Sequence, residues 1–274
     1  MRQISVLGCG WLGLPLAKAL LQQDFTVKGS TTTSEKLPSL NQAGIKAYLI
    51  ELESNKAPLN IGDFLDGSET LIIAIPPRLR GKNKDYSDAN ANSFVKKITM
   101  LLPTIEKAAI SHLLFLSSTA IYGDINTDIY ESTPPQPQTE SGKQLLEIEQ
   151  ILQQQTAFKT TIVRFGGLIG PNRNPARFMA GKEGISNPDA AINLIEQVDC
   201  INIILRIIAT NTWGEDFNAA APYHPSREKY YTAKAIEQGL VPPVFDHSKP
   251  SEGKTINSDK LIKMLNYTFI NTTL

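Results

Sequence analysis

Over its first two thirds the chain alternates short apolar runs with amphipathic stretches. Apolar residues at 4–7 predict a first strand, and Leu12, Leu16, Ala19 and Leu20 recur at helical spacing just after it. Further strands are predicted at 25–27, 45–50, 70–75, 112–116 and 160–165, with helices over 90–109 and 141–155. A polar turn covers 29–34, Pro76 and Pro77 close the fourth strand, a polar stretch covers 78–88, and a Pro-rich loop covers 132–138. Near-continuous apolar strands between helices predict an α/β fold, a Rossmann-type doubly wound parallel sheet covered on both faces. Beyond Phe165 the periodicity fades, and 166–187 is rich in Gly, Pro, Asn and Arg. A helix over 198–209 and a strand at 217–220 return to the sheet, and helices over 226–238 and 258–265 belong to a smaller unit. The expected division is a sheet domain over 1–165, rejoined by 190–221, and a small C-terminal lobe from 166–189 and 222–274.

The turn after the first strand carries Gly8, Gly10 and Gly13. A GxGxxG run between a strand and a helix is a dinucleotide-binding signal. Gly8 permits the tight turn, Gly10 lets backbone approach a pyrophosphate, and Gly13 lets the helix pack close to the strand. The helix N-terminus offers N–H groups and partial positive charge to phosphates, so the backbone of Trp11 and Leu12 joins the expected cofactor site. Pro15 is tolerated in the first helical turn. At the end of the second strand an Asp or Glu ordinarily holds the ribose 2′-OH of NAD. Here Ser30, Thr31, Thr32, Thr33 and Ser34 precede the first carboxylate, Glu35, with Lys28 and Lys36 nearby. Hydroxyls and a lysine suit a 2′-phosphate, so NADP is the expected cofactor, with NAD the alternative.

Composition removes several function classes. Hydrophobic residues are 41% and charged residues 20% of the chain, as in ordinary globular proteins. Lys+Arg and Asp+Glu are 27 each, which gives no electrostatic case for nucleic acid or an anionic membrane. Cys9 and Cys200 are too few for a disulfide framework and too far apart for a metal cluster, and His112, His224 and His247 are isolated, so no metal is expected. No leader pattern or membrane-length apolar run is read. The expectation is a cytoplasmic protein with a small-molecule substrate and a homodimer as the candidate assembly.

A second motif, Ser117-Ser118-Thr119-Ala120-Ile121-Tyr122-Gly123, ends the fifth strand. Together with the glycine run, Asn92, Glu131 with Pro134 and Pro137, Arg164 with Gly170-Pro171, and Asn193 with Asp199, it resembles the extended short-chain dehydrogenase/reductase superfamily. That group includes nucleotide-sugar epimerases and dehydratases. The resemblance covers most of the chain and implies a hydroxyl at Ser118 on the reacting oxygen, and Lys143 on the nicotinamide ribose. Ile75 and Pro76, at the end of the fourth strand, complete the expected cofactor surface. The family's YxxxK tyrosine falls at Thr139, four residues before Lys143. A threonine hydroxyl titrates far above neutral pH and cannot act as a phenolate base, so this chain resembles the superfamily's atypical members.

Tyr122, Tyr130 or a carboxylate of the small lobe are the candidate substitutes for that base. Thr119 and Ala120 stand where sugar-nucleotide dehydratases carry an acidic pair, and Gly167 stands where many nucleotide-sugar enzymes carry a diphosphate-binding Asn. Gly167, Arg173 and Arg177 are the candidate substrate contacts beside Ser118, the two arginines for an anionic group. Against these stand plain structural roles: a strand-end serine satisfying backbone, and a solvated lysine on a helix. The expected function is an NADP-dependent oxidoreductase or epimerase-like enzyme acting on a small polar, sugar-like substrate with a non-standard proton donor. The alternative is a catalytically silent NADP(H)-binding sensor or regulatory protein.

Overall fold

The computed structural model describes residues 2–77 and 93–271. The polar stretch 78–88, the first residues of the helix predicted over 90–109, and Asn92 fall outside them. The core is a seven-stranded, all-parallel sheet in the order β3-β2-β1-β4-β5-β7-β10. Its strands are β1 (Gln3–Leu7), β2 (Thr26–Thr31), β3 (Lys46–Leu49), β4 (Thr70–Ile73), β5 (His112–Ser118), β7 (Lys159–Phe165) and β10 (Asp216–Ala219). β1 pairs with β2 on one side and β4 on the other, so the strand order reverses at the end of β1. In open α/β sheets, ligands bind in the crevice at such a reversal, and the three glycines follow β1 directly.

Alternate strand residues feed two cores. Ile4, Val6, Ile72, Leu114 and Val163 meet α1 (Gly13–Leu21), α8 (Gln197–Ala209) and α10 (Asp259–Leu265) on one face. Leu71, Ile73, Leu113 and Phe115 meet α3 (Ile61–Leu65), α4 (Ser93–Thr99), α5 (Leu102–Lys107) and α6 (Glu140–Gln153) on the other. Ser5 breaks the apolar run of β1 but is satisfied, with its hydroxyl 2.6 Å from the Phe64 carbonyl oxygen that accepts it and 2.8 Å from Ser68 Oγ.

Three expectations are corrected. The helix predicted over 90–109 is two helices, α4 and α5, parted between Thr99 and Leu102. Pro103 lacks an N–H and would clash with the carbonyl of Thr99, so it is admitted only in the first turn of a new helix. Second, β2 continues through Gly29 and Ser30 to Thr31, where a polar turn was expected. A Cβ on Gly29 would stand 2.6 Å from both Cys9 Sγ and Ile45 Cγ2, so the glycine packs inside the sheet rather than turning.

Third, the region after Phe165 holds more order than its composition predicts. β8 (Gly167–Ile169) pairs with β9 (Leu194–Glu196), and β11 (Thr255–Ile256) pairs with β6 (Asp128–Ile129). The short α7 (Ala176–Met179) lies in the same region, and α9 (Arg227–Glu237) falls where a helix was expected over 226–238. No helix among the described residues is long and apolar enough to cross a membrane. No group of three or more His, Cys, Asp or Glu among them could hold a metal ion.

Candidate functional site

The glycine loop is built from both ends. Gly8 has φ +105°, a left-handed value that L side chains rarely adopt, and a Cβ there would strike Ile75 Cγ2 at 2.5 Å. Gly13, the first residue of α1, lies so close to the loop that a Cβ would stand 2.0 Å from Gly8 O. Gly10 differs, because a Cβ there meets nothing within 4 Å. The side open at Gly10 is the one an approaching ligand can use. Ser30 locks the loop to β2: its Oγ accepts from Gly8 N at 2.8 Å and its carbonyl from Cys9 N at 2.7 Å. Burial pushes the Cys9 thiol up to about 12, so it is an inert packing residue. α1 has no acidic residue in its first turn and no side-chain cap at Leu12, leaving its N-terminal end positive.

Trp11 reaches from the loop to Pro171 and Gln197, far along the chain. Its Nε1 donates to Pro171 O at 2.8 Å, and its own carbonyl accepts from Gln197 Nε2 at 2.6 Å. The Arg173 guanidinium lies 5.1 Å from the Trp11 ring centroid.

At the end of β2, Thr31 is buried and its Oγ1 accepts from Thr33 N at 3.2 Å, while Thr32 and Lys36 are exposed. Lys28 does not serve this turn. It is buried, and its ammonium donates to Asp63 O at 2.7 Å and Asp66 O at 2.6 Å, capping the end of α3. Glu35 is exposed and held below the usual carboxylate range by its own N–H and the Ser34 hydroxyl.

The serine motif and the Thr139–Lys143 segment meet through one glycine. A Cβ on Gly142 would stand 2.3 Å from Ala120 O and 3.1 Å from Pro137 Cβ, so α6 begins in backbone contact with the 3-10 turn Thr119–Ile121. Half-buried Ser118 caps that turn, its Oγ accepting from Ala120 N at 3.2 Å. Thr139 is the N-cap of α6, its Oγ1 accepting from Gly142 N at 3.1 Å. Thr139, where the sequence resemblance would put a tyrosine, is thus a helix cap, a role threonine fills well and tyrosine does not. Lys143 is exposed one turn further on, and beyond β4 Ile75 lies against Gly8 while Pro76 is exposed.

Tyr122, the candidate proton donor next to the serine motif, lies buried. It is 2% exposed, and its hydroxyl donates to Asn218 Oδ1 at 3.0 Å and accepts from Arg164 Nη1 at 2.9 Å. Burial pushes its pKa up, against the pull of Arg164. Tyr122 belongs to a buried network that pattern reading missed. Arg164 also bonds Glu149 Oε2 at 2.8 Å and Asp216 Oδ2 at 2.9 Å, and Ser117 Oγ donates to Glu149 Oε1 at 2.5 Å. Glu131, the family-motif glutamate, accepts from Asn218 N at 2.8 Å beside it. Helical spacing on α6 was the available signal, since Glu149 falls on the same face as Leu145, Ile148 and Leu152. Tyr130 is 45% exposed.

Exposed Gly167 donates its N–H to Asn193 O at 2.7 Å. The Asn193 side chain ties in Lys254 O and Ile256 N, both at 2.8 Å, so it joins segments 61 and 63 residues apart in the chain. Arg173 and Arg177 are exposed. Asp199 is fully buried and accepts from Tyr267 Oη at 2.6 Å and Ile270 N at 2.8 Å, an orienting rather than a chemical role. His224 spends Nδ1 on Ile192 O at 3.0 Å, His112 stacks on Trp213, and His247 lies by Glu228 on the surface.

These features fit what comparison with known proteins finds. The model of the NAD dependent epimerase/dehydratase family matches residues 4–183. Protein YeeZ of Escherichia coli K12 is 32% identical over 273 residues, covering 98% of this chain and 96% of that protein. The UDP-glucuronic acid 4-epimerase of Bacillus cereus, solved with UDP-glucuronic acid and NAD, superposes with TM-score 0.81 at 17% identity, covering 98% of this chain and 95% of that one. A short-chain dehydrogenase/reductase superfamily protein of Agrobacterium tumefaciens, solved with bound NAD, gives TM-score 0.77 at 16% identity, covering 99% and 93%. With its glycine loop at the strand-order reversal and its serine motif facing the start of α6, this chain belongs to the NAD-dependent epimerase/dehydratase family.

Proposed function

We propose that the chain binds NADP(H) on the glycine loop and acts as an oxidoreductase or epimerase-like enzyme on a small polar, sugar-like substrate. The observation that carries this reading is the Gly142–Ala120 contact, which holds Ser118 and Lys143 on adjoining segments at the C-terminal end of β5. When bound, the nicotinamide supplies or accepts a hydride. Ser118 hydrogen-bonds the reacting oxygen, giving up its bond from Ala120 N or sharing it, and Lys143 holds the ribose and lends positive charge. The NAD in the Bacillus and Agrobacterium structures supports a dinucleotide here. Exposed Thr32 and Lys36, with no acid before Glu35, favour the 2′-phosphate. A silent NADP(H)-binding sensor is the second reading, favoured by the engagement of both Thr139 and Tyr122 in structural bonds.

Calorimetry tests the cofactor reading. NADPH should bind more tightly than NADH at low salt, Gly10→Val should abolish binding without unfolding the chain, and Thr32→Asp should reverse the preference. Equal affinities in the parent would defeat the NADP assignment. Oxidation of NADPH against a panel of small carbonyls separates enzyme from sensor. Thr139→Tyr should raise a weak activity, since general acid–base assistance contributes on the order of a hundred- to ten-thousand-fold. That variant also loses the α6 cap, worth about 1 kcal/mol, so Thr139→Ala, which loses the cap without adding a phenol, is its stability control. No oxidation by either protein favours the sensor.

A further inference from the structure

We infer that Ser30 is a positioning residue of the dinucleotide site, acting through the backbone of the glycine loop on the diphosphate rather than on the 2′-phosphate. The inference rests on the reading of that loop as a dinucleotide site and adds the residue that sets its shape. The paired register of β1 and β2 runs to Val6 with Gly29. Beyond it Ser30 makes two further bonds, one from its backbone and one from its side chain. Its carbonyl accepts from Cys9 N at 2.7 Å, and its hydroxyl oxygen accepts from Gly8 N at 2.8 Å. Gly8 leaves the strand at φ +105°. Its N–H is met there by a side chain rather than by a strand carbonyl.

This arrangement divides the donors of the loop. Gly8 N and Cys9 N are spent on Ser30, and Gly10 N is spent on Gly8 O at 2.8 Å. Phosphate oxygens are therefore left the N–H groups further on, where α1 opens without an acidic residue in its first turn. Ser30 governs how those groups are presented, because the start of α1 rests on Gly8: a Cβ on Gly13 would collide with Gly8 O. Sequence order groups Ser30 with Thr31 and Thr32 as a contact for the 2′-phosphate. Burial separates them, since Ser30 is 2% exposed beneath the loop while Thr32 is exposed. Without the Ser30 hydroxyl, Gly8 N loses its acceptor, and the ligand must order a loop that is no longer held in shape.

Calorimetric titration of NADP⁺ and of NAD⁺ tests the role in the parent, Ser30→Ala, Ser30→Cys and Ser30→Thr, with a melting curve for each. Ser30→Ala should weaken both dinucleotides by the same factor, about tenfold for one lost hydrogen bond in the site. The ratio of the two affinities should stay as in the parent. Ser30→Cys keeps the volume with a poorer acceptor and should follow Ser30→Ala. Ser30→Thr keeps the hydroxyl and should recover most of the loss.

Parental affinity for both dinucleotides in folded Ser30→Ala and Ser30→Cys would overturn the inference, even with lowered melting temperatures, since Ser30 would then be a packing residue only. A loss confined to NADP⁺ would overturn it too, by making Ser30 a 2′-phosphate contact. Loss of binding in Gly10→Val with none in Ser30→Ala sinks this inference alone. A folded parent that binds neither dinucleotide sinks the underlying reading as well.

Discussion

Arg164 shows how much one buried charge can hold. Its guanidinium faces Glu149, Asp216 and Tyr122 at once. Burial pushes the Glu149 carboxyl up and Arg164 pulls it back down. Arg164→Met should leave that carboxylate buried with no cation, a loss of about 3–5 kcal/mol. Adding Glu149→Leu should recover much of it in urea denaturation, and a double variant as unstable as the single would refute the pairing. His112 gives a pH dependence of opposite origin. Burial lowers its pKa below the usual 6.5, Glu69 opposes and Lys159 assists. The folded state then binds the proton less tightly than the unfolded chain. The stability His112 contributes is complete above pH 6.5 and is lost as pH falls through the lowered folded value. Between pH 7.5 and 5.5 the parent should lose more stability than His112→Phe, which keeps the stack on Trp213, and equal losses would exclude the effect.

Two helical glycines with opposite surroundings make the element scale testable. Gly142 of α6 would thrust a Cβ into Ala120 O, while a Cβ on Gly62 of α3 meets nothing within 4 Å. Gly62→Ala should stabilise by about 0.5–1 kcal/mol. Gly142→Ala should destabilise by about 1–3 kcal/mol, because backbone cannot yield as a side chain does, and it should weaken any activity that depends on Ser118 and Lys143. Thermal melts of the two variants check the sign. The same contrast marks what sequence pattern can carry. The main strands, α1, α6 and α8 were legible because their apolar positions repeat locally. The continuation of β2 through Gly29 was not, because the contact with Cys9 and Ile45 that makes glycine necessary there comes from elsewhere in the chain. Nor was the sequestration of Tyr122, which is set by Arg164 and Asn218 on two other strands. The glycine loop was legible as a motif, whereas the seat of Trp11 on residue 171 was not.

At the scale of the molecule, segments far apart in sequence are tied together by polar bonds. The third buried apolar cluster is small: Ile169, Ile192, Leu194 and Tyr230. Such bonds join residues far apart in sequence and leave no periodic trace. Asp199 is the extreme case. It is buried at the start of α8, and its carboxylate accepts from Tyr267, Ile270 and Asn271. A chain ending at 266 would strand that charge and should lose about 3 kcal/mol or more. Asp199→Leu in the shortened chain should restore part of the loss, and a shortened chain of parental stability would contradict the role. On the ribosome the same bonds become a matter of timing. The carboxylate is made roughly seventy residues before its donors, which at about 5–20 residues per second is a wait of several seconds. Through that interval the apolar face of α8 can dock on the sheet while the Asp199 carboxylate still lacks its donors, so these polar bonds close after the sheet is complete.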